Sequence, residues 1–238
     1  MFKKERDIKS KGKERGIQME FIVAIDGPAG SGKGTITKLV GETLALVNID
    51  TGATFRCVAL NMLQEGIKIK EEDKIKDLLE KIEIDMKESG EVFLNGKEVT
   101  KKIRENEVSN FVSQVSTIQI VRNRLLEIQR KIAEGKNVIM EGRDIGTVVF
   151  PKADVKIYLD ASPEERAKRR VKQNQEKGIT TSYEDVLKNI IDRDKRDSTR
   201  EIAPLKRAED AIYIDSTSMT IGEVVDKIVK IVKDKKQT

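Results

Sequence analysis

A glycine-rich stretch with one lysine, Gly27–Thr35, carries the clearest chemistry in this sequence. Gly27 and Gly32 are five residues apart and Lys33 follows directly, which is the G-x-x-x-x-G-K spacing of a phosphate-binding loop, or P-loop. In such a loop the backbone N–H groups point at one anionic centre, and the lysine adds a full positive charge. The stretch therefore predicts a site for the β- and γ-phosphates of a nucleoside triphosphate; the alternative is a glycine-rich turn with only a structural role. The residues expected at this site are Gly27, Pro28, Ala29, Gly30, Ser31, Gly32, Lys33, Gly34 and Thr35.

The hydroxyl that usually follows the P-loop lysine is displaced by one residue. Gly34 stands where Ser or Thr commonly binds Mg²⁺, and Thr35 comes next. We therefore expect Mg²⁺ to be held mainly by the phosphates and by water, because this ion dehydrates reluctantly. Thr35 is the candidate protein ligand.

Charged side chains at two further places could act on a phosphate. Residues 141–144, Glu-Gly-Arg-Asp, follow the buried run 138–140 at the carboxyl end of a predicted strand, the edge where open α/β sheets bind ligands. Arg166 and Arg170 on one predicted helix, and the charged run 192–200 on the next, could close over a phosphoryl group and exclude water. Taken alone, such runs are commonly solvated helix faces, and it is the P-loop that favours the functional interpretation.

Short apolar runs alternate with helical patterns and predict the scaffold that must position these groups. The runs are residues 21–25, 47–50, 138–140, 155–159 and 212–214. Buried strands separated by helices predict a three-layer α/β fold with a five-stranded parallel sheet. Thr51 and Arg56 fall near the start of the helix after the second strand, where they could meet a second substrate, although Arg56 could equally be a solvated arginine.

The segment between the second strand and the next long helices has a different character. Asn95-Gly96 lies between two β-prone runs and is a strong hairpin signal, so a small antiparallel β insert is predicted. The predicted organisation is a basic disordered extension at 1–18, a first part of the core at 19–66, the insert at 67–104, nucleotide-binding helices and core at 105–160, a helical lid at 161–203, and the last core strand and helix at 204–238.

Composition excludes several classes of chemistry. The chain has 238 residues and no histidine, which excludes Ser-His-Asp catalysis and His-based zinc sites but leaves phosphoryl transfer open. Cys57 is the single cysteine, so there is no intrachain disulfide.

Charge and hydropathy patterns bear on the partners and the location. Much of the net charge of +5 lies within residues 1–18, which leaves the rest of the chain close to neutral and argues against a nucleic-acid partner. No apolar run is long enough for a membrane span and no leader pattern is present, so we expect no membrane association and a cytoplasmic location. No long heptad pattern appears, so a monomer is expected.

Five blocks of this sequence together resemble the bacterial cytidylate kinases. The blocks are residues 27–35, 50–56, 113–115, 141–151 and 193–205, and the likeness runs in order from Met19 to the C-terminal helix. The block at 141–151 is the most specific of the five. The loop at 27–35 is less specific, because its G-x-x-G-x-G-K-G-T form resembles nucleoside monophosphate kinases in general. The resemblance implies a P-loop kinase fold with a helical lid, and transfer of the γ-phosphoryl group of ATP to CMP or dCMP with Mg²⁺.

The resemblance also implies which residues hold the acceptor nucleotide. It assigns the 5′-phosphate to Arg56, Arg143 and Arg193, the cytosine to Ser113, Arg122 and Asp144, and the ribose to Asp197 with Arg193 and Arg200. Thr51 and Phe55 stand where serine and tyrosine are common and are expected beside the acceptor. Lys33, Arg143 and Arg193 are the expected catalytic residues, and Arg166 and Arg170 are expected to close over the donor.

The cytosine assignment is chemically coherent, since a carboxylate accepts a hydrogen bond from the amino group at C4, whereas uracil presents a carbonyl there. Two alternatives stay open. The first is a kinase for another acceptor, such as UMP, AMP or a small metabolite like shikimate. The second is a P-loop switch or ATPase, which would hydrolyse ATP without a monophosphate.

Overall fold

The computed structural model describes residues 21–176 and 178–237, so the predicted basic extension at 1–18 lies outside the described residues. The strands in the described part are β1 (Ile22–Asp26), β2 (Val47–Asp50), β3 (Ile84–Met86), β4 (Val92–Leu94), β5 (Lys97–Glu98), β6 (Val138–Gly142), β7 (Val155–Asp160) and β8 (Ile212–Asp215). The α-helices there are α1 (Lys33–Leu44), α2 (Thr51–Gln64), α3 (Glu72–Lys81), α4 (Asn106–Val115), α5 (Gln119–Ala133), α6 (Pro163–Glu176), α7 (Tyr183–Thr199) and α8 (Ile221–Lys236).

The strand that precedes the P-loop lies at the centre of a parallel sheet. Among the described residues this sheet has five strands in the order β2-β6-β1-β7-β8. β1 pairs in parallel with β6 and β7, and its last residue, Asp26, lies opposite Gly142 of β6. Val23, Ala24 and Ile25 are fully buried, because helices cover both faces of this strand. The predicted five-stranded parallel α/β sheet is confirmed.

Helices on the two faces of the sheet give the three predicted layers. α1 and α8 pack on one face around a cluster that includes Val40, Ile157 and Ile228. α5 and a single turn of π-helix, Ile145–Val149, cover the other face against Met140. The layers hold the carboxyl ends of β2, β6 and β1 side by side, which is where the candidate site lies.

The insert contains the predicted hairpin and one helix that was not predicted. β4 and β5 pair antiparallel around Asn95 and Gly96, whose φ angles of 49° and 76° are those of a tight hairpin turn, and β3 adds a third strand. α3 precedes these strands and buries Ile75, Leu78 and Leu79. The spacing of these three residues is typical of a helix. The prediction of a β insert did not take this pattern into account.

The two charged helices, α6 and α7, pack against each other as a helical hairpin. Ser162 caps α6 by accepting from the backbone N–H of Glu165 at 3.2 Å, and Ser182 caps α7 in the same way. A small apolar cluster joins the two helices through Ala167, Val186 and Ile190. Within the described ranges no helix combines the length and apolar character needed to cross a bilayer.

Candidate functional site

A large cleft opens at the carboxyl ends of β1, β2 and β6, with a volume of about 1710 Å³. The P-loop and the start of α2 line it on the sheet side, α4 and α5 contribute from the insert side, and α6 and α7 line the opposite side. Parallel α/β sheets bind ligands at this edge. The cleft therefore collects residues that are far apart in the sequence.

The P-loop adopts a conformation in which one glycine is obligatory. A Cβ atom at Gly27 would lie 2.0 Å from the carbonyl oxygen of Leu159, and its φ of 153° is also unfavourable for a side chain. Gly32 has a φ of 89° and precedes α1, whose amino-terminal end faces the cleft. The loop and the helix start thus present backbone N–H groups towards an anion.

Lys33 is buried in the loop and donates to it. Its Nζ donates to the carbonyl oxygens of Gly27 at 2.8 Å and Pro28 at 2.7 Å, and to Ser31 Oγ at 3.2 Å. Burial lowers the pKa of Lys33 to about 7, and the nearby Arg143 lowers it as well. Glu141 and Asp26 oppose this shift, and a bound phosphate would favour the charged ammonium further.

Glu141, from the charged block at 141–144, lies next to the loop. A Cβ atom at Gly34 would lie 3.1 Å from Glu141 Oε1, so glycine at this position makes room for the carboxylate. Burial and the neighbouring Asp50 raise the pKa of Glu141 to about 7, while Lys33 and Arg143 oppose that rise. A carboxylate oxygen of Glu141 therefore lies beside Gly34, the position where a P-loop usually carries a hydroxyl.

Arg56 is held in the cleft by a carboxylate at the end of β2. Asp50 Oδ2 accepts from Arg56 Nη2 at 2.6 Å, and Asp50 Oδ1 accepts from the backbone N–H of Ala53 at 3.1 Å. Burial would raise the pKa of Asp50, but Arg56 and Arg104 hold it below its usual range. The Nε of Arg56 is buried without a hydrogen-bond partner among the described residues, which leaves a charged donor for an anionic ligand.

Arg143 and Arg193 converge on Asp197. Arg143 Nε donates to Asp197 Oδ2 at 3.0 Å, and Arg193 Nε lies 4.0 Å from the same oxygen. Burial and the like charge of Arg143 lower the pKa of Arg193 to about 10. Within the described part of the chain, Arg193 Nε and Arg200 Nη2 are buried without hydrogen-bond partners. Cations held close together with unused donors suit an oxyanion such as a phosphate.

Asp144 is held by Arg122. Arg122 Nη2 donates to Asp144 Oδ2, and Arg122 Nη1 donates to the carbonyl oxygen of Ser116 at 3.0 Å. The guanidinium also lies over the ring of Phe55, 5.3 Å from its centroid. Arg200 Nη2 lies 3.7 Å from Asp144 Oδ1. Asp144 and Arg122 are both buried, and both line the cleft.

The remaining predicted acceptor residues flank this pair. Ser113 lines the cleft from α4, and Phe55 lines it from α2. The hydroxyl of Thr51 donates to the carbonyl oxygen of Glu141 at 2.7 Å, so this group ties α2 to β6. All ten residues assigned to the acceptor line one cleft with the P-loop: Thr51, Phe55, Arg56, Ser113, Arg122, Arg143, Asp144, Arg193, Asp197 and Arg200.

The residues predicted to contact the donor differ in how exposed they are to the cleft. Arg166 is buried, and its guanidinium donates to the carbonyl oxygens of Ala161 at 2.8 Å and Ala29 at 2.9 Å and to Asp194 Oδ2 at 2.6 Å. These bonds connect the P-loop to α6 and α7. Arg170 and Thr35 are exposed in the cleft, so their side chains can reach a ligand directly.

Three carboxylates that are not among the predicted site residues share one structural position. Asp26, Asp50 and Glu141 lie at the carboxyl ends of β1, β2 and β6, which are neighbours in the sheet. An acidic residue at the end of each predicted strand was visible in the sequence. The order of the strands, which brings these ends together, was not.

The family model and the curated relatives point to one family. The family model described as cytidylate kinase matches residues 23–234. A cytidylate kinase of Thermotoga maritima is 44% identical over 221 residues, covering 92% of this chain and 100% of that protein. One of Bacillus subtilis is 45% identical over 92% of this chain and 99% of its own length, and one of Caldicellulosiruptor saccharolyticus is 49% identical over 88% and 94%.

Proposed function

The chain belongs to the cytidylate kinase family, and we propose how its cleft carries out the phosphorylation of CMP by ATP. The observation that carries the proposal is the pairing of Asp144 with Arg122 beside the arginines gathered on Asp197. Asp144 and Arg122 would bind a cytosine, and the arginines near Asp197 would bind a phosphate. The P-loop lines the same cleft.

The P-loop holds the triphosphate of the donor. Phosphate oxygens accept from the backbone N–H groups of the loop, and the ammonium of Lys33 turns from the Gly27 and Pro28 carbonyls towards the β- and γ-phosphates. Arg170 closes over the donor from α6, and Arg166 keeps the loop and lid helices in register.

The oxygen donors beside the loop fit Mg²⁺. The described residues contain no cluster of three acidic, histidine or cysteine side chains that could hold a metal, so the protein alone does not form a complete site. The ion would be held by the donor phosphates and water, with the Thr35 hydroxyl and the Glu141 carboxylate as the protein groups in reach, and it would neutralise phosphate charge there.

The acceptor lies between α2, α4 and the lid. Asp144 accepts from the C4 amino group of cytosine, with Ser113 and Arg122 completing the base site. Arg56, Arg143 and Arg193 bind the 5′-phosphate, and Asp197 with Arg200 meets the ribose. Deoxycytidine monophosphate carries the same base and phosphate, so we propose dCMP as a second acceptor.

Positioning and charge neutralisation account for the catalysis. The attacking group is a phosphate oxygen that is already anionic, so no side chain has to remove a proton from it. Lys33, Arg143 and Arg193 stabilise the charge on the transferred group and hold the two nucleotides in line.

We also propose that the enzyme works as a monomer in the cytoplasm, where ATP and nucleoside monophosphates are present.

Release of ADP tests this function. ADP should form rapidly with ATP, Mg²⁺ and CMP or dCMP, far more slowly with UMP or AMP, and hardly at all without a monophosphate. A rate that does not depend on any monophosphate would instead indicate a P-loop ATPase. Faster turnover with UMP or AMP than with CMP would refute the cytosine site.

A further inference from the structure

Asp26 is a buried carboxylate at the end of β1 that takes no part in the acceptor and donor contacts proposed above. Only 5% of its surface is exposed. Its Oδ1 accepts from the backbone N–H of Ile145, and its Oδ2 accepts from the backbone N–H of Gly146, each at 2.8 Å. These are the first two N–H groups of the π-helical turn, Ile145–Val149, which follows Asp144 directly.

That turn is not capped by its own first residue. Asp144 occupies the capping position with φ −146° and ψ 25°, but its side chain makes no capping bond. A residue at such a position commonly uses its side chain to accept from the first N–H groups of a helix. The Asp144 carboxylate pairs with Arg122 instead, and Asp26 from the neighbouring strand accepts from those N–H groups. Because Asp26 caps the turn, the Asp144 side chain is not needed as a cap and can face the cleft.

We propose that Asp26 is a positioning residue for recognition of the acceptor base. By capping the turn from β1, it fixes the backbone that carries Arg143 and Asp144 relative to the P-loop, which begins at the next residue, Gly27. The inference rests on the proposed role of Asp144 in reading cytosine. Arg122 orients the Asp144 side chain, whereas Asp26 sets the position of its backbone.

The bonding pattern requires a carboxylate. Each of its two oxygens accepts one backbone N–H, so asparagine could satisfy only one of them and would turn its own NH₂ group towards the other. A buried N–H group without an acceptor is unfavourable, so the turn would shift to find one. A shift of that turn moves Asp144 away from the C4 position of the base. The enzyme then discriminates less well between cytosine and uracil.

The test is the ratio of kcat/KM for CMP to kcat/KM for UMP at saturating ATP, in the wild type and in Asp26→Asn. Any effect of the substitution on the adjacent P-loop acts on both substrates and cancels in the ratio. We expect the ratio to fall about tenfold, mainly through a higher KM for CMP. A merely structural Asp26 would lower the melting temperature and leave the ratio unchanged.

Asp154→Ala is the control, because asparagine would still accept the single hydrogen bond that Asp154 receives. Asp154 Oδ2 accepts from the backbone N–H of Ile22 at 2.7 Å, at the opposite end of β1 and away from the cleft. This variant should keep the CMP to UMP ratio within about twofold of the wild type. An equal fall in the control would overturn the inference, because it would show a general response to loosening β1.

Gly146→Ala supplies the test should Asp26→Asn fail to fold. It keeps the carboxylate and both N–H groups, but its methyl group would lie 3.1 Å from Lys156 Cδ, a tight contact that Lys156 or the turn must relieve by a small shift. We expect a fall of about threefold in the ratio. A wild type without preference for CMP would overturn the cytosine site and this inference with it; a wild type with the preference and variants that keep it would overturn this inference alone.

Discussion

Binding of ATP should weaken as the pH rises from about 6 to about 8, because Lys33 loses its proton in this range. Burial and Arg143 lower the pKa of Lys33 to about 7 in the free protein. Bound phosphates favour the charged ammonium and raise that pKa again. The protonated form of the protein therefore binds ATP more tightly, and the apparent affinity falls as the proton is lost.

The size of the effect follows from the pKa. If only the protonated form of Lys33 binds ATP, a pKa of about 7 makes the apparent Kd rise about tenfold between pH ~6 and pH ~8. Glu141 also titrates in this range, because burial and Asp50 raise its pKa to about 7, so its contribution to the slope has to be separated from that of Lys33. A lysine with an ordinary pKa would give no slope in this range.

Calorimetric titration with the magnesium complex of a non-hydrolysable ATP analogue measures this slope. Lys33→Met is the control: it should bind more weakly at every pH and keep only the smaller slope that comes from Glu141 and from the ligand itself. A Kd that is constant across the range in the wild type, or a slope that is the same in Lys33→Met, would refute the reasoning about the loop lysine.

Three further predictions concern residues around the loop and α2. Asp50→Asn should raise the KM for CMP several-fold and change the KM for ATP less, because Arg56 loses its charged partner; steady-state kinetics with each substrate varied separates the two. Glu141→Gln should raise the Mg²⁺ concentration needed for half-maximal activity, as a magnesium titration would show. Cys57 should not react with a thiol reagent in the native protein, because it is buried and burial raises the pKa of its thiol to about 12; absorbance on addition of the reagent reports this.

Each of these predictions has a contrary result. An unchanged KM for CMP in Asp50→Asn would mean that Arg56 does not hold the acceptor phosphate. An unchanged magnesium requirement in Glu141→Gln would exclude this carboxylate from the ion's surroundings. Rapid modification of Cys57 without denaturant would show that α2 opens readily.

The sequence predicts the main elements of this fold because their signals are local. The P-loop spacing, the apolar runs of the central strands and the Asn95-Gly96 turn each depend on neighbouring residues only, and all three appear as predicted. α3 was missed although Ile75, Leu78 and Leu79 have helical spacing, since the hairpin that follows dominated the interpretation of the segment. The π-helical turn has no comparable local signal, because its cap comes from Asp26, 119 residues away from Ile145.

The site shows the same division between local and long-range information. The family resemblance implied roles in phosphate and base recognition for Arg56, Asp144 and Arg193, but neither it nor the residue spacing predicted the partners of these side chains. Arg166 illustrates the difference, since the sequence shows only a charged helix while the structure buries its guanidinium against Ala29 and Asp194. Side-chain partners depend on how the sheet and lid come together, which is a property of the whole fold.

Replacement of Asp144 by alanine tests the cytosine site most directly. The change removes the acceptor for the C4 amino group and leaves Arg122 without its buried partner. Loss of a charge-assisted hydrogen bond costs about 1.5–3 kcal/mol, which is roughly a tenfold to hundredfold fall in kcat/KM for CMP. UMP offers no amino group to Asp144, so its kcat/KM should fall far less and the CMP to UMP ratio should narrow. If both substrates lose activity equally and the ratio is unchanged, Asp144 only supports the turn and its arginines, and the account of cytosine recognition is wrong.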